Sequence, residues 1–559
     1  MTDKDLNRVL LYINTIRYLK PSQVYCRVWF NLKKPKPIPS DFGLRHPGKN
    51  IIPPLLKKQS MLAHDTFRFL NKENKIRTEY DWNNPEIEKL WLYNLHYFDD
   101  LRSESSANRK EWHGNLIERW IAENPPFSGN GWEPYPLSRR LVNWIFWGLS
   151  GNILNEKAKS SLNLQAAFLS RRLEWHILGN HLLANAKALI FAGLFFSGDA
   201  AEKWLEKGIR IFSAQLDEQI LSDGGHFELS PMYHAQVLED VLDVINIFNA
   251  YPDTLIGNRA RIVAGFSRIS SGMLSWLETM SHPDGEIVLF NDSAFGVAGS
   301  FLELFKYAQR LGISPLLKQK EYERACDIEI RHLKESGYIR VDCGDMTAFL
   351  DVAEIGADYL PGHAHADTLN FELSIGSQRV IVDSGVSLYE DGGERLNQRG
   401  TRAHNTLMID GADSSEMWGS FRVARRAHPY NLIINEESKE ISCSHDGYRR
   451  LQGKPVHNRK WSFMNSGLRI NDSVYGGYKK ASSFLHLHPD VKIEFSSGSE
   501  KKGRFILPDN KAVGWSVEGG NVIISDAFYF PEFGLRVPGK CLEINLHTGH
   551  SVIEISRQA

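Results

Sequence analysis

From about residue 85 to about residue 310 apolar side chains recur at three- and four-residue spacings, the period of one face of a helix. LSRRLVNWIFWGLSG (137–151), HLLANAKALIFAGLFFSG (181–198), AQVLEDVLDVINIFNAY (235–251) and ARIVAGFSRISSGMLSWLETM (260–280) all carry it, with Gly, Pro and Asp between them. Successive amphipathic helices on short connectors predict a helical array or toroid. Past about residue 335 the period becomes two: YIRVDC, TAFLDVA, LNFELSIG, RVIVDSG, HNTLMIDG, KIEFSS, NVIISD and LEINLH alternate or form short apolar runs bounded by turn residues, the pattern of a β-sandwich. Helices first and strands afterwards mean segregated modules rather than a βαβ sheet. The expected division is an extension over 1–84, helices over 85–335 and sandwich over 336–559, with the Lys- and Glu-rich stretch 311–336 as boundary.

Composition narrows the function classes. Hydrophobic residues at 42% and charged residues at 24% argue for an ordered globular chain. With 66 Lys plus Arg against 67 Asp plus Glu, no chain-wide attraction to nucleic acid is expected, although a local basic cleft would suffice for an anionic polymer. Cys26, Cys326, Cys343, Cys443 and Cys541 are scattered and odd in number, which points to neither a disulfide framework nor a thiolate zinc site. No window reaches the ~18 uninterrupted apolar residues of a membrane span. The start lacks a signal-peptide pattern, so a cytoplasmic location is expected. Residues 8–19 read instead as an amphipathic helix able to touch a membrane surface.

Several polar clusters could carry chemistry. Asn180 and His181 follow Gly179 at an expected helix start, where free N–H groups face outward; an amide beside an imidazole can polarise an acid carbonyl and move a proton, though Asn is also a common cap. Tyr233 closes DGGHFELSPMYH (223–234), a glycine-containing interruption of the helical half; it could carry a proton or simply pack. His363 and His365 in GHAHAD (362–367), placed on an alternating strand, would share a face, and with Asp383 and His404 they form a set suited to zinc, hydrogen-bonded loop anchoring being the rival. Trp132, Tyr135, Arg139 and Arg140 in NPPFSGNGWEPYPLSRR (124–140) could stack on sugars and grip carboxylates, or be packed loop. Asp284, Asn291 and Asp292 read as turn and cap residues. P-loop, dinucleotide-binding, G-x-S-x-G and H-E-x-x-H patterns are absent.

In order along residues 85–559, the NPPFSGNGWEPYP loop, GNH, DGGHFELSPMYH, GHAHAD, VDSG and the HNT strand resemble the heparinase II/III-like polysaccharide lyases and their alginate-lyase relatives. The resemblance implies an α+β multidomain fold, an incomplete (α/α) toroid followed by an antiparallel β-sandwich with the active site between them. It implies that Asn180 neutralises a uronate carboxylate, that His181 belongs to the proton-abstraction machinery, that Tyr233 protonates the leaving oxygen and that His363 lines the site. It makes His365, Asp383 and His404 structural metal ligands, usually of zinc. Some relatives use a second tyrosine from the β module, for which Tyr389 is the nearest candidate, not matched by motif. The start NTIRYLKPSQ resembles members associated with bacterial surface-polysaccharide production, so the expected substrate is an acidic capsule or O-antigen-type polymer cleaved by β-elimination. A uronate epimerase on the same scaffold and a non-catalytic glycan-binding assembly factor are the alternatives. Sugar, linkage and oligomeric state are not fixed by these patterns.

Overall fold

The computed structural model describes residues 3–38, 41–316 and 328–557, so part of the expected boundary, Cys326 included, lies outside the described residues. Two helices, α1 (Asp3–Ile16) and α2 (Pro21–Leu32), precede a small antiparallel sheet of Met61–Ala63, Thr66–Phe69 and Lys72–Lys75. The toroid then runs through α3 (Lys89–Tyr97), α4 (Lys110–Glu123), α5 (Pro134–Leu149), α6 (Glu156–Leu169), α7 (Gly179–Phe195), α8 (Asp199–Gln219), α9 (Pro231–Ala250), α10 (Asn258–Thr279) and α11 (Phe301–Arg310). Its starts follow local chemistry: Asn155 caps α6 by accepting from Ala158 N, and Ser230 caps α9 ahead of Pro231, each satisfying a donor the first turn leaves free. The central helix α7 is buried from Leu182 to Phe195, which is why its apolar residues show little periodicity. Met61, Phe67 and Ile76 are buried in the same core as the toroid helices, so the small sheet packs as part of that module.

Two antiparallel sheets follow. One runs edge to edge through Gly520–Tyr529, Val537–Leu546, Ala481–Leu487, Gln378–Ile381, Phe371–Ile375, Met346–Asp351, Tyr338–Cys343 and Ile328–Leu333, with Leu407–Ile409 pairing onto Ala481–Leu487. The other runs through Pro429–Asn435, Glu440–His445, Val456–Met464, Gly467–Tyr475, His550–Arg557, Ala512–Glu518, Lys502–Ile506 and Lys492–Phe495. Their facing apolar residues, such as Val341 and Leu373 from the first and Trp461 and Ile470 from the second, share one core. In Ala512–Glu518 only alternate residues are buried, whereas Met346–Asp351 is buried throughout. The second pattern arises because Ala348 and Leu350 face the partner sheet while Phe349 packs with Tyr338 against Trp276 and Met280 of the toroid. The toroid therefore covers the outer face of this sheet, and the two modules meet along it. The first strand starts at Ile328, ahead of the 336 expected; it is an edge strand half-exposed on both faces, which erases the alternation. Cys26, Cys343, Cys443 and Cys541 are unpaired.

Inside the sandwich Arg459 and Asp472 form a fully buried two-point ion pair, Nε–Oδ1 2.7 Å and Nη2–Oδ2 2.8 Å, with His457 Nε2 at 2.8 Å from the same carboxylate. Arg459 also donates to the carbonyls of Leu369 and Asn405, clamping two loops that lead to the polar cluster described below. Removing one member leaves an uncompensated buried charge, so Asp472→Ala is expected to cost about 3–5 kcal/mol, read as a fall in the urea midpoint of sandwich unfolding.

Candidate active site at the module junction

The expected residues converge where the first sheet meets the toroid, and an aspartate organises them. Asp292, on the segment between α10 and α11, is fully buried and faces Arg395 through both oxygens, Oδ1–Nη1 2.5 Å and Oδ2–Nη2 2.7 Å. His363 Nδ1 stands 2.9 Å from its Oδ2 and His365 Nε2 2.8 Å from its Oδ1. Burial alone would raise the Asp292 pKa; the Arg395 guanidinium and the two imidazoles hold it well below the usual carboxylate range. Residues 361–370 form turns rather than the alternating strand expected around GHAHAD. His363 and His365 are aligned by one shared carboxylate, not by pleat geometry. The sequence pattern makes Asp292 a turn residue; the loop does turn at Asn291, whose φ is 58°, but the next side chain is the hub. Arg395, on the short helix α12 (Gly393–Arg399), carried no sequence signal.

Carboxylate contact at Nδ1 leaves His363 Nε2 free of Asp292, 3.7 Å from Glu228 Oε2. The ring stacks on Tyr233 at 3.9 Å between centroids. The Tyr233 hydroxyl lies 3.0 Å from that of Tyr389, so the tyrosine without a motif reaches the site from the sandwich side. Burial, and then Tyr389, push the Tyr233 phenol well above its ordinary value; it is a protonated donor at neutral pH. Ser230, the α9 cap, holds Tyr233 N and donates to Asp292 O at 2.7 Å, which fixes the helix start to the hub.

Asn180 is the second residue of α7, half-buried, and its backbone N–H faces the Glu228 carboxylate. It follows Leu178 at φ 71° and Gly179 at φ 55°. A Cβ on residue 179 would stand 2.5 Å from Leu360 Cδ2, so the backbone conformation favours glycine and any larger residue would have to displace the end of the Leu360 side chain. Leu178, Leu229 and Asn291 are non-glycine residues at positive φ beside Asn180, Tyr233 and Asp292 respectively, the kind of local strain that gathers where side chains must be aimed. His181 stacks on Tyr135 at 4.4 Å and pairs through Nδ1 with Glu174 Oε1 at 3.1 Å. Glu174 is anchored in turn by Asn185. Glu174 and Arg395 are site residues outside the recognisable motifs, and Glu228 lies within DGGHFELSPMYH, where nothing local sets it apart from its neighbours.

The 124–140 loop divides. Tyr135 lies against His181, its phenol pushed up to about 12 by burial, and half-buried Arg139 lies 3.6 Å from Asp99 and 3.9 Å from Asp240. Trp132 is instead buried among Trp120, Phe127 and Phe168. Arg140 is fully buried, stacked 3.8 Å over Trp120 and bonded to Gln165. Neither is a sugar contact; α5 turns one arginine of the pair to the cleft and its neighbour inward. At the metal positions, His404 Nδ1 is 2.7 Å from Asp383 Oδ2, which also accepts from Asn370, and the His365 and His404 rings are 5.2 Å apart. Among the described residues no three His, Cys, Asp or Glu side chains are grouped as a ready-made metal cage.

A helical toroid covering a β-sandwich, with an asparagine, two histidines and two tyrosines gathered at their junction, is the class of protein that the motifs resembled. The comparisons agree: the Heparinase II/III N-terminus matches residues 65–312 and the Heparinase II/III-like, C-terminal unit matches residues 328–556, and the chain belongs to the heparinase II/III-like family. A heparin-sulfate lyase of Bacteroides stercoris is 23% identical over 364 residues, 60% of this chain and 52% of that protein. FtsZ-localized protein C of Caulobacter vibrioides is 22% identical over 431 residues, 72% of this chain and 69% of that one. The chain spans about half the length of the heparin-sulfate lyases it matches. The crystal structure of heparinase III aligns with a TM-score of 0.68 at 17% identity, over 88% of this chain and 80% of the other, a likeness of fold.

Burial pulls the His181 pKa down, but Glu174 more than offsets it and leaves the imidazole above its ordinary value. The stabilisation this pair gives is complete below the unfolded value of about 6.5 and is lost as pH rises through the raised folded value. Proton NMR should therefore show His181 titrating above an ordinary histidine, and Glu174→Gln should bring it down; no change in that variant would refute the pairing.

Proposed function

We propose that this chain is a polysaccharide lyase that cleaves a uronate-containing polymer by β-elimination. The observation that carries the reading is the contact set of Tyr233, whose ring lies on His363 and whose hydroxyl meets Tyr389 at the junction of the two modules. The chemistry needs a group to stabilise the uronate carboxylate as the proton α to it leaves, a base for that proton, and an acid for the departing oxygen. In this reading Asn180, with the His181–Glu174 pair beside it, supports the carboxylate. A His181 held toward its cationic form suits that role better than the proton abstraction expected from the motif. His363, oriented by Asp292 through Nδ1, takes the proton at Nε2, as in other carboxylate-oriented imidazoles. The C–H pair then forms the ring double bond, the bond to the bridging oxygen breaks, and that oxygen takes the Tyr233 proton. Tyr389 hydrogen-bonds Tyr233 and can return a proton to it. Arg139 and Tyr135 line the sugar path.

The substrate class follows less directly. The named relatives are heparin-sulfate lyases, which supports an acidic glycan; the NTIRYLKPSQ start supports a bacterial surface polymer over host glycosaminoglycan. Absorbance near ~235 nm, where an unsaturated uronate absorbs, should rise on an acidic-polysaccharide panel containing both heparan sulfate and bacterial capsular polymers. Tyr233→Phe and Asn180→Ala are expected to lower the rate by about 100–1,000-fold, the usual loss of a transition-state donor. Binding with no absorbance change on any polymer would sink the elimination.

The same reading includes a structural zinc held by His365, Asp383 and His404. Its support is chemical: His365 Nδ1, His404 Nε2 and Asp367 Oδ2 are buried with no hydrogen-bond partner, a costly arrangement unless something satisfies them. A bound divalent ion would supply fixed charge that ties the turn at 361–370 to the sandwich. Elemental analysis should find near-stoichiometric metal that His365→Ala loses, together with a lower melting temperature in wild-type protein treated with chelator. Metal-free protein with an unchanged melting temperature would end the zinc assignment.

A further inference from the structure

The two N-terminal helices carry a surface that the site does not use. On α1, Val9, Ile13 and Ile16 are exposed, and on α2 so are Tyr25, Trp29 and Leu32, up to 77% for Leu32. Each trio follows an i, i+4, i+7 spacing, a continuous stripe on one helix face. Other faces of the same helices hold them to the body. Thr15 accepts from Trp418 Nε1 and donates to Val423 O, while Gln23 is buried against Tyr359 O and Phe30 packs on His176 at 4.0 Å. The stripe is therefore not a fold-stabilising face left incomplete. An apolar patch of this extent on an otherwise well-packed protein marks a contact surface.

Charge selects the occupant. Arg8, Arg17, Arg27, Lys33, Lys34 and Lys36 are all exposed, and no acidic residue falls between Leu6 and Ser40. The whole chain is nearly neutral, with 66 basic against 67 acidic residues, so this segment concentrates one sign. Aliphatic and aromatic side chains, a Trp and a Tyr among them, flanked by cations from Arg8 onward, with Asp3 and Asp5 confined to the first turn of α1, fit the boundary of an anionic bilayer. Among the described residues no helix is long and apolar enough to cross one, so the contact lies in the plane of the surface. We infer that α1 and α2 form a docking face for an anionic lipid membrane.

The position of that face relates it to the cleft. α1 rests on the hairpin Met417–Trp418/Arg422–Val423, whose Phe421 is 6.0 Å from His363 and 5.4 Å from Tyr389. α2 rests on the segment containing Arg172 and His176, next to Glu174. Docked protein thus holds both walls of the cleft near the bilayer, where a membrane-attached polymer would be met; that corollary rests on the lyase reading, and the docking itself does not.

The test uses the full chain and vesicles of phosphatidylcholine alone or with equal phosphatidylglycerol, by co-sedimentation at low and high salt. Wild type is expected to bind only the anionic vesicles, more weakly at high salt. Two variants, Tyr25→Ser/Trp29→Ser/Leu32→Ser and Lys33→Glu/Lys34→Glu/Lys36→Glu, should each lose more than about tenfold in partitioning. Their melting temperature and turnover of soluble polymer should match wild type. If the first variant fails to fold, the second, beyond the end of α2, carries the result. Wild type that stays with the supernatant, or variants that bind as wild type does, would overturn the inference. So would light scattering that shows a wild-type dimer dissolved by the serine variant, since the stripe would then be a self-interface.

Discussion

The buried carboxylate of Asp292 is the constraint on which the site depends. A charge taken fully out of water costs several kcal/mol unless it is matched by partners of good geometry, and here both oxygens are matched twice. The partners come from different places. Asp292 belongs to the end of the toroid, His363 and His365 to a turn of the sandwich, and Arg395 to α12. Satisfying the carboxylate therefore requires the modules to be seated on one another, and seating them sets the His363 ring on Tyr233. The price of desolvation becomes a device for registration, a use for which buried ion pairs are well suited even when they add little net stability.

Helix starts supply the other half of the alignment. Asn180 stands at the second position of α7 and Tyr233 at the third of α9. In both cases the chain enters through a left-handed residue, Leu178 before one and Leu229 before the other, so that side chains in the first turn face the junction. The strain is tolerable because α7 and α9 are almost wholly buried behind it. A rigid helix anchored by its apolar length can aim one polar residue at its tip, and two such helices set the two polar groups against a third contributed by the sandwich.

The sequence made the modules legible because helical and strand periods do not mix, and the motifs singled out Asn180, His181, Tyr233 and His363, which the fold brings to the module junction, because each lies in a glycine-marked segment. It was weaker wherever a residue's role depends on a partner far along the chain. Arg395 meets Asp292 across 103 positions and Tyr389 meets Tyr233 across 156; no local period encodes either contact. Trp132 and Arg140 show the opposite failure. An aromatic-rich loop followed by two arginines looks like a sugar platform, but one residue's step around a helix, about 100°, is enough to send Arg140 onto Trp120 while Arg139 stays half-buried beside Asp99. Local composition reports what a segment could contact, and only packing decides which face it turns.

The N-terminal helices pose a related problem of balance. A chain with equal numbers of the two charges carries no long-range attraction to a surface as a whole, yet segregating cations into one segment restores it over the Debye length, roughly 8–10 Å in physiological salt. Scattered exposed apolar residues need no explanation. A stripe that keeps one spacing on two successive helices, while Thr15, Gln23 and Phe30 on their other faces are engaged, is a different matter, because retaining it in water risks self-association. The arrangement is economical if the stripe spends its working life covered. The contacts that hold these helices also buttress Phe421 and the Glu174 segment, so whatever covers the stripe acts close to the His363–Tyr389 and His181–Glu174 contacts at the module junction.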